Sequence, residues 1–445
     1  MIVVRKRLIF WLIKAYFKKS KKILFFSFIT GLLIFLAIIF GQRYIAEIFT
    51  FERKPIIGMI GSFEQDNMPD EVVARLSKGL TKINSDQSHE LDLAESVAIE
   101  NDGKTYKFTL KNDATFNDGS SIESDSLPYK FTDVVTDRPD KRTIIFKLKD
   151  PYAPFLATVS KPIFKKGNIG TGEYNIRDIK LNGSFVQDLL LSNETNRFQT
   201  VRYVFYPTEE ALKTAFALGE ITEARGLSNT SFQDISFEDY TKIKISNNIN
   251  YNSLVTIFYN TADSVFSDRK VRLGLSYAIP NDLPGGLVTN RPYPNTSMYF
   301  NSNLLPRNQD LERAKILLPE EGIKINLKVL KKYKNTAKII AKEWEKAGAK
   351  TNIEVVDQVP DRYQVFLGDF NVPKDPDQYA LWHSDQINNI TKFKNLRIDK
   401  LLEDGRKTTN INERKKIYND FQKFLLEEMP ATFLYFPQEY NLLRK

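Results

Sequence analysis

The chain has no cysteine, which removes disulfides, thiolate metal sites, a cysteine nucleophile and the lipid-accepting thiol that anchors many bacterial surface proteins. Its two histidines, His89 and His383, cannot make a histidine-rich metal cluster. It also lacks a G-x-S-x-G elbow, a G-x-x-x-x-G-K-[ST] phosphate cradle and an H-E-x-x-H pair. Gly167, Gly170 and Gly172 are too irregularly spaced for a dinucleotide fingerprint and read as turn glycines. Much enzymology is disfavoured, no cofactor is implied and no metal site is expected. A two-carboxylate glycosidase leaves no motif and stays open as a surface-hydrolase alternative.

A basic surface is missing as well. Net charge is +9, but eight of the 64 basic residues stand in residues 1–22, where there is no acid, so 56 remain against 55 acids. No later segment interleaves Lys or Arg with aromatics, and nucleic acid is not an expected partner.

What the sequence does have begins with Ile23 to Gly41, nineteen uncharged residues that at about 1.5 Å each span a bilayer core. We expect a retained transmembrane helix at 23–41, after a basic cytoplasmic segment (1–22) and before a tether (42–54). A cleaved signal peptide is the competing reading. Its apolar region is normally about 7 to 15 residues and ends at a small-residue site, which Gln42-Arg43-Tyr44-Ile45-Ala46 does not offer. Eight basic residues before the span against Arg43, Arg53 and Lys54 after it orient the N-terminus to the cytoplasm and the bulk of the chain outward. The apolar side chains of Leu8 to Ile13, with Tyr16 and Phe17, suit a helix lying among lipid headgroups, or a tail with no partner.

With 445 residues, 42% hydrophobic and 27% charged, the remainder is long enough for a sizeable core. Strand-like runs at Pro55 to Gly61 and Tyr106 to Leu110 alternate with helix-like stretches at Glu71 to Leu80, Glu209 to Leu218 and Ala337 to Ala347, which gives an α/β class. In the last of these Ile339, Ile340, Trp344 and Ala347 share a face, so Trp344 is expected in the core. His89 sits in a polar stretch and reads as solvated. For His383, beside Trp382, a cleft position and a packed one are both open.

Several collinear blocks carry a resemblance. They are Leu93-Ala94-Glu95-Ser96, Asp102 to Leu110, Phe116-Asn117-Asp118-Gly119, Gly170-Thr171-Gly172-Glu173-Tyr174, and Ala215 through Gly219-Glu220-Ile221. Asp268 to Ile279 (DRKVRLGLSYAI) is the most specific, and Arg313 to Leu318, Asp375 to Ser384, Asp399 to Arg406 and Pro430 to Tyr435 follow. Together they resemble the family 5 solute-binding proteins, the peptide- and nickel-binding receptors of bacterial ABC importers, from about Pro55 onward. Asn117 stands where the family usually has His, and Pro280 where it usually has Asp.

The resemblance implies a two-lobed periplasmic-binding-protein-like fold, type II and cluster C-like, closing on a ligand by a hinge. Lobe I would cover 55–250 with a small subdomain at about 76–160, lobe II 251–425, and 426–445 would return to lobe I. The small subdomain looks trimmed, since some two dozen residues with Pro128 and Pro139 replace a helical stretch. The chain also stops sooner after Phe433 than relatives do. Tyr251 to Tyr259 reads as the crossing strand. The implied function is an extracytoplasmic, membrane-anchored, monomeric receptor that hands peptides or similar solutes to an ABC permease. A binding module without a permease is the other non-enzymatic reading.

In peptide-binding relatives an acid of the second lobe meets the ligand ammonium. Asp369 in Gly368-Asp369-Phe370-Asn371 resembles that acid, whereas counting back from Pro376 moves the role toward Val372 or Asp375. Trp382 is read as a pocket wall or as packing. His383, Tyr259 and Asn260 complete the candidate contacts.

Overall fold

The computed structural model describes residues 2–49, 54–196 and 198–445. The chain divides into two compact units, Met1–Lys54 and Pro55–Lys445. In the first, helix Ile2–Lys19 is followed by helix Lys21–Phe49. Side chains in this unit are described for 8–11, 14–23, 25–36 and 54, so part of the apolar run at 23–41 lies outside the described residues. Among the described residues no helix is long and apolar enough to cross a membrane.

The second unit is built on one 13-stranded sheet. Its first-lobe half centres on Ile56–Ile60, parallel to Thr200–Tyr206 on one side and to Glu223–Leu227 on the other. Its second-lobe half holds Ile323–Leu330, parallel to Ala349–Val356 and to Val365–Asn371. Parallel neighbours need a crossover, and the helix Lys334–Lys346 supplies the one from Ile323–Leu330 to Ala349–Val356. Trp344 on that helix is fully buried and donates its indole N–H to the Leu275 carbonyl at 3.0 Å.

Two segments join the halves. Ile249 to Ser253 leads from Ile243–Ile249 into Ser253–Tyr259, a strand buried at every position, which is why it reads as an unbroken apolar run rather than an alternating one. The strand Ala431–Arg444 belongs to both lobes. Its first residues pair with Val255 to Phe258, and its later ones with Glu223–Leu227 and Ile243–Ile249. We call it the shared strand. The chain thus crosses between lobes just before the buried strand, at Asn250 to Asn252, and again at Phe436 to Gln438.

The small subdomain is a four-stranded antiparallel sheet with a separate hairpin, Thr81–Ile83 and His89–Leu91. The stretch with Pro128 and Pro139 contributes a 3-10 turn at Ser124–Ser126 and the edge strand Val134–Asp137.

The blocks that carried the resemblance serve the backbone. Arg272, nearly fully buried, donates to the carbonyls of Phe266, Ser267, Glu428 and Met429, tying the helix Arg269–Tyr277 to the end of the helix Ile411–Glu428. Gly219 takes a left-handed φ of 81° to end the helix Glu209–Leu218. A Cβ on Gly170 or Gly172 would collide with the carbonyl oxygens of Leu76 or Arg75, so the turn there requires glycine.

Candidate functional site

Strand pairing at the lobe junction lines up polar side chains that the flanking apolar strands cannot absorb. On the second lobe, Asp369 lies near the end of Val365–Asn371, opposite Val255. It accepts a hydrogen bond from Ser253 Oγ at 2.8 Å and pairs with Lys332 Nζ at 2.9 Å. The Asp369 side chain is 16% exposed and that of Lys332 55%, so the carboxylate is enclosed while its present counter-ion reaches into solvent. Tyr333 packs beside them, and burial first, then the Asp369 charge, holds its phenol above the ordinary tyrosine value.

On the first lobe, Gly226 has a φ of 76° at an irregularity where Glu223–Leu227 pairs with the shared strand. That conformation favours glycine. Arg225, just before it, donates Nε to Glu223 Oε1 at 2.6 Å and Nη1 to Glu71, whose carboxylate also accepts from Tyr203 Oη at 3.0 Å. Burial opposes the Arg225 charge, but these hydrogen bonds outweigh it and its pKa is raised.

The hinge segments link the two sets. Gly226 N–H donates to Asn441 Oδ1 at 3.1 Å, and Asn250 Nδ2 donates to Glu439 Oε1 at 2.6 Å. A ribbon of amides and charges therefore runs from Glu71 and Arg225, across Glu439 and Asn250, to Ser253, Asp369 and Lys332. Its first-lobe end holds Arg225 between the carboxylates of Glu71 and Glu223, and its second-lobe end holds Asp369 paired with Lys332. The Lys332 ammonium that pairs with Asp369 is more exposed than the carboxylate it meets. Among the described residues the ribbon holds no histidine beside a nucleophile.

The other candidates from the sequence lie elsewhere. The Asp375 charge is taken by Arg414, whose Nη1 and Nη2 reach its two oxygens at 2.8 and 2.6 Å, with both side chains buried. Trp382 is 2% exposed, donates to Gln378 Oε1 at 2.8 Å and packs edge-on to Phe433 and Phe370. That is the packed alternative. His383 is also packed, stacked on Tyr379 with ring centres 4.1 Å apart and its Nε2 3.5 Å from Glu403. Tyr259 is fully buried against Thr432, and Asn260 secures the following turn through Tyr363 O. Both sit at the end of the buried strand away from Ser253, so the structure does not gather them with Asp369.

His89 departs from the solvated reading. Its side chain is 14% exposed and its Nε2 lies 3.8 Å from Asp375. The hairpin folds onto the second lobe there, with Gln87 Nε2 donating to Pro373 O at 2.7 Å and Met298 N–H to Asp86 O at 2.9 Å. Arg225, Lys332, Glu439 and Asn250 were not singled out by sequence. Their only signal was a charge or amide on a strand, or just after one, near a lobe crossing. Among the described residues no group of three or more His, Cys, Asp or Glu is placed to hold a metal ion.

Comparison with known proteins fits this architecture. Residues 89–389 match the family of bacterial extracellular solute-binding proteins, family 5 (middle). The oligopeptide-binding protein AppA of Bacillus subtilis is 22% identical across 86% of this chain and 86% of its own length. The nickel-binding periplasmic protein of Escherichia coli is 26% identical across 55% of each. Among solved structures, the ABC-transporter substrate-binding protein CtaP of Listeria monocytogenes superposes with a TM-score of 0.73 at 19% identity, covering 88% of this chain and 93% of its own. NikZ of Campylobacter jejuni, in complex with Ni(L-His), gives 0.72 at 20% identity over 88% and 94%. With two lobes on one shared strand and a family match over more than half its length, this chain belongs to the bacterial extracellular solute-binding proteins of family 5.

Proposed function

We propose that this protein is a membrane-tethered receptor that captures peptides, or solutes of similar size with a free ammonium and a carboxylate, at the junction of its lobes and delivers them to an ABC permease. The observation that carries the reading is the ribbon at the hinge, with Arg225 on one lobe and Asp369 on the other. Asp369 can meet a ligand ammonium, and the amides of the ribbon offer hydrogen-bonding groups to a peptide main chain. Several relatives are named for the peptides they bind. Enclosing an ammonium needs a compensating carboxylate, because an unpaired buried ion costs several kcal/mol. Asp369 already stabilises one ammonium, that of Lys332, so exchange for a ligand cation adds little new desolvation.

The membrane anchor lies in the helix Lys21–Phe49, ahead of the tether at 42–54. The uncharged run Ile23 to Gly41 is long enough for a bilayer core, and Phe25, Phe26, Phe28 and Leu33 are exposed on it. The basic residues before it place the N-terminus in the cytoplasm and the two-lobed unit outside, as a single-pass monomer.

Two measurements test this. Native mass spectrometry of the full chain released from detergent should show a co-purifying zwitterionic solute, and loss of that solute in Asp369→Asn. Recovery of the chain in an alkaline wash of membranes, rather than in the pellet, would overturn the tether and leave the ligand reading standing.

A further inference from the structure

The second lobe also contains a cavity of about 350 Å³ that shares no residue with the polar ribbon. That volume lies within the range of small-molecule sites, about 300 to 1,000 Å³. Its walls are largely apolar, with Ile279, Leu283, Leu287, Phe433, Leu434 and Phe436 prominent. Two arginines line it, Arg291 and Arg307.

Neither guanidinium is neutralised. Arg291 is 6% exposed, donates to the carbonyls of Asn301 and Leu304, and lies over the Phe300 ring at 4.6 Å. Arg307 Nη1 donates to Ser276 Oγ at 2.7 Å and Nη2 to Leu426 O at 3.2 Å, with the Tyr277 ring at 5.2 Å. All these partners are neutral. Among the described residues no Asp or Glu forms an ion pair with either, whereas Arg202, Arg225 and Arg414 each have a carboxylate. Arg272 is also held by carbonyls, but it lines no part of this cavity. Burial pulls the pKa of Arg291 and of Arg307 below the ordinary arginine value, the sign of charges short of compensation. Two arginines without a carboxylate partner, both lining one partly enclosed space, make a local potential that an anion would relieve.

We propose that this cavity is a second ligand site, taking a small monocarboxylate with an apolar body, its carboxylate paired with Arg291 and Arg307 and its body against Leu287, Leu434 and Phe436.

Phenylacetate is a suitable probe and 2-phenylethanol its neutral counterpart. Calorimetry on the full chain in lipid nanodiscs, with empty nanodiscs subtracted, should show saturable one-to-one binding of phenylacetate at a dissociation constant of about 1 mM or tighter. The alcohol should bind at least about tenfold more weakly. Arg307→Gln should weaken phenylacetate binding by a similar factor. Leu287→Trp, which fills the space from a partly exposed strand and keeps both arginines, should abolish it. Asp369→Asn should leave it unchanged. Equal binding of acid and alcohol, saturable binding that survives Leu287→Trp, loss of binding in Asp369→Asn, or no saturable binding of the acid would each overturn the proposal.

Discussion

Replacing Asp375 by Asn separates a structural acid from a ligand-binding one. In the native chain the carboxylate receives two charge-assisted hydrogen bonds from Arg414, at 2.8 and 2.6 Å, and a third from the Asp377 amide at 3.0 Å. Both charged side chains are under 10% exposed. The amide oxygen of Asn keeps the bond to Asp377 and one weaker bond to Arg414, but it leaves the guanidinium buried without a counter-charge. Breaking a buried pair from one side costs about 3 to 5 kcal/mol, and the retained neutral bond places this case near the lower figure. With an m-value of about 3 kcal/mol per molar urea, the unfolding midpoint should fall by about 1 M. Trp344 and Trp382 report on this unit, since both are fully packed within it. Removing Arg414 as well, as Asp375→Asn/Arg414→Met, should recover at least about 1.5 kcal/mol relative to the sum of the single changes. Peptide affinity of the folded variant should not move. A destabilisation below about 1 kcal/mol, or a loss of affinity without a loss of stability, would refute the argument and return Asp375 to the candidate ligand acids.

Three further outcomes follow from the same geometry. Burial first, and then the Arg414 charge, hold the His89 pKa below its ordinary 6.5 against the opposing pull of Asp375, so the folded state binds fewer protons than the unfolded one. Its contribution is complete above about pH 6.5 and is lost as pH falls through the window below, so the urea midpoint of the native chain should drop between pH 7 and 5 more than that of His89→Gln. Asp369→Asn should weaken a peptide with a free N-terminus by about 2 kcal/mol, the low end for stripping an enclosed pair because Lys332 already screens the acid. That loss should vanish for the N-acetylated peptide in calorimetry. Arg272→Gln should destabilise the second unit by about 2 to 4 kcal/mol by orphaning carbonyls that four hydrogen bonds satisfy, with no effect on peptide affinity once folded, read by urea titration and calorimetry.

The fold was legible because its diagnostic residues solve backbone problems that any member of this architecture meets. Arg272 gathers carbonyls at a helix end, Gly219 stops a helix, and Gly170 and Gly172 let one turn pass under another. Such solutions leave fixed letters at fixed spacing. The helix Glu209–Leu218 was legible to the residue because Thr208 caps one end and Gly219 the other. Candidate ligand contacts carry no such constraint. Arg225 and Lys332 are ordinary basic residues until strand pairing brings them to the junction, and nothing local distinguishes them from the other basic residues of a charge-rich chain. Asp369 was singled out because Gly368-Asp369-Phe370-Asn371 resembles a family pattern. Asp375 and Trp382 belong to the block that follows, which encodes an internal ion pair and a core contact. His89 misled for the opposite reason: its neighbours in sequence are polar, and what buries it comes from nearly three hundred residues downstream.

The strand Ala431–Arg444 also has a consequence for the order in which the protein can form. Gly226 and the Asn441 that caps it are 215 residues apart, and each half of the great sheet waits on this one late segment for a central partner. Closing so large a loop is entropically costly before any contact rewards it, so the rate-limiting step should come late and involve both halves at once. Up to that moment Glu223–Leu227 and the apolar strand Ser253–Tyr259 each have an unpaired edge, a state open to association with other chains. A chain lacking this segment should therefore fail as a whole rather than yield one intact lobe, and the lobes should melt in a single transition.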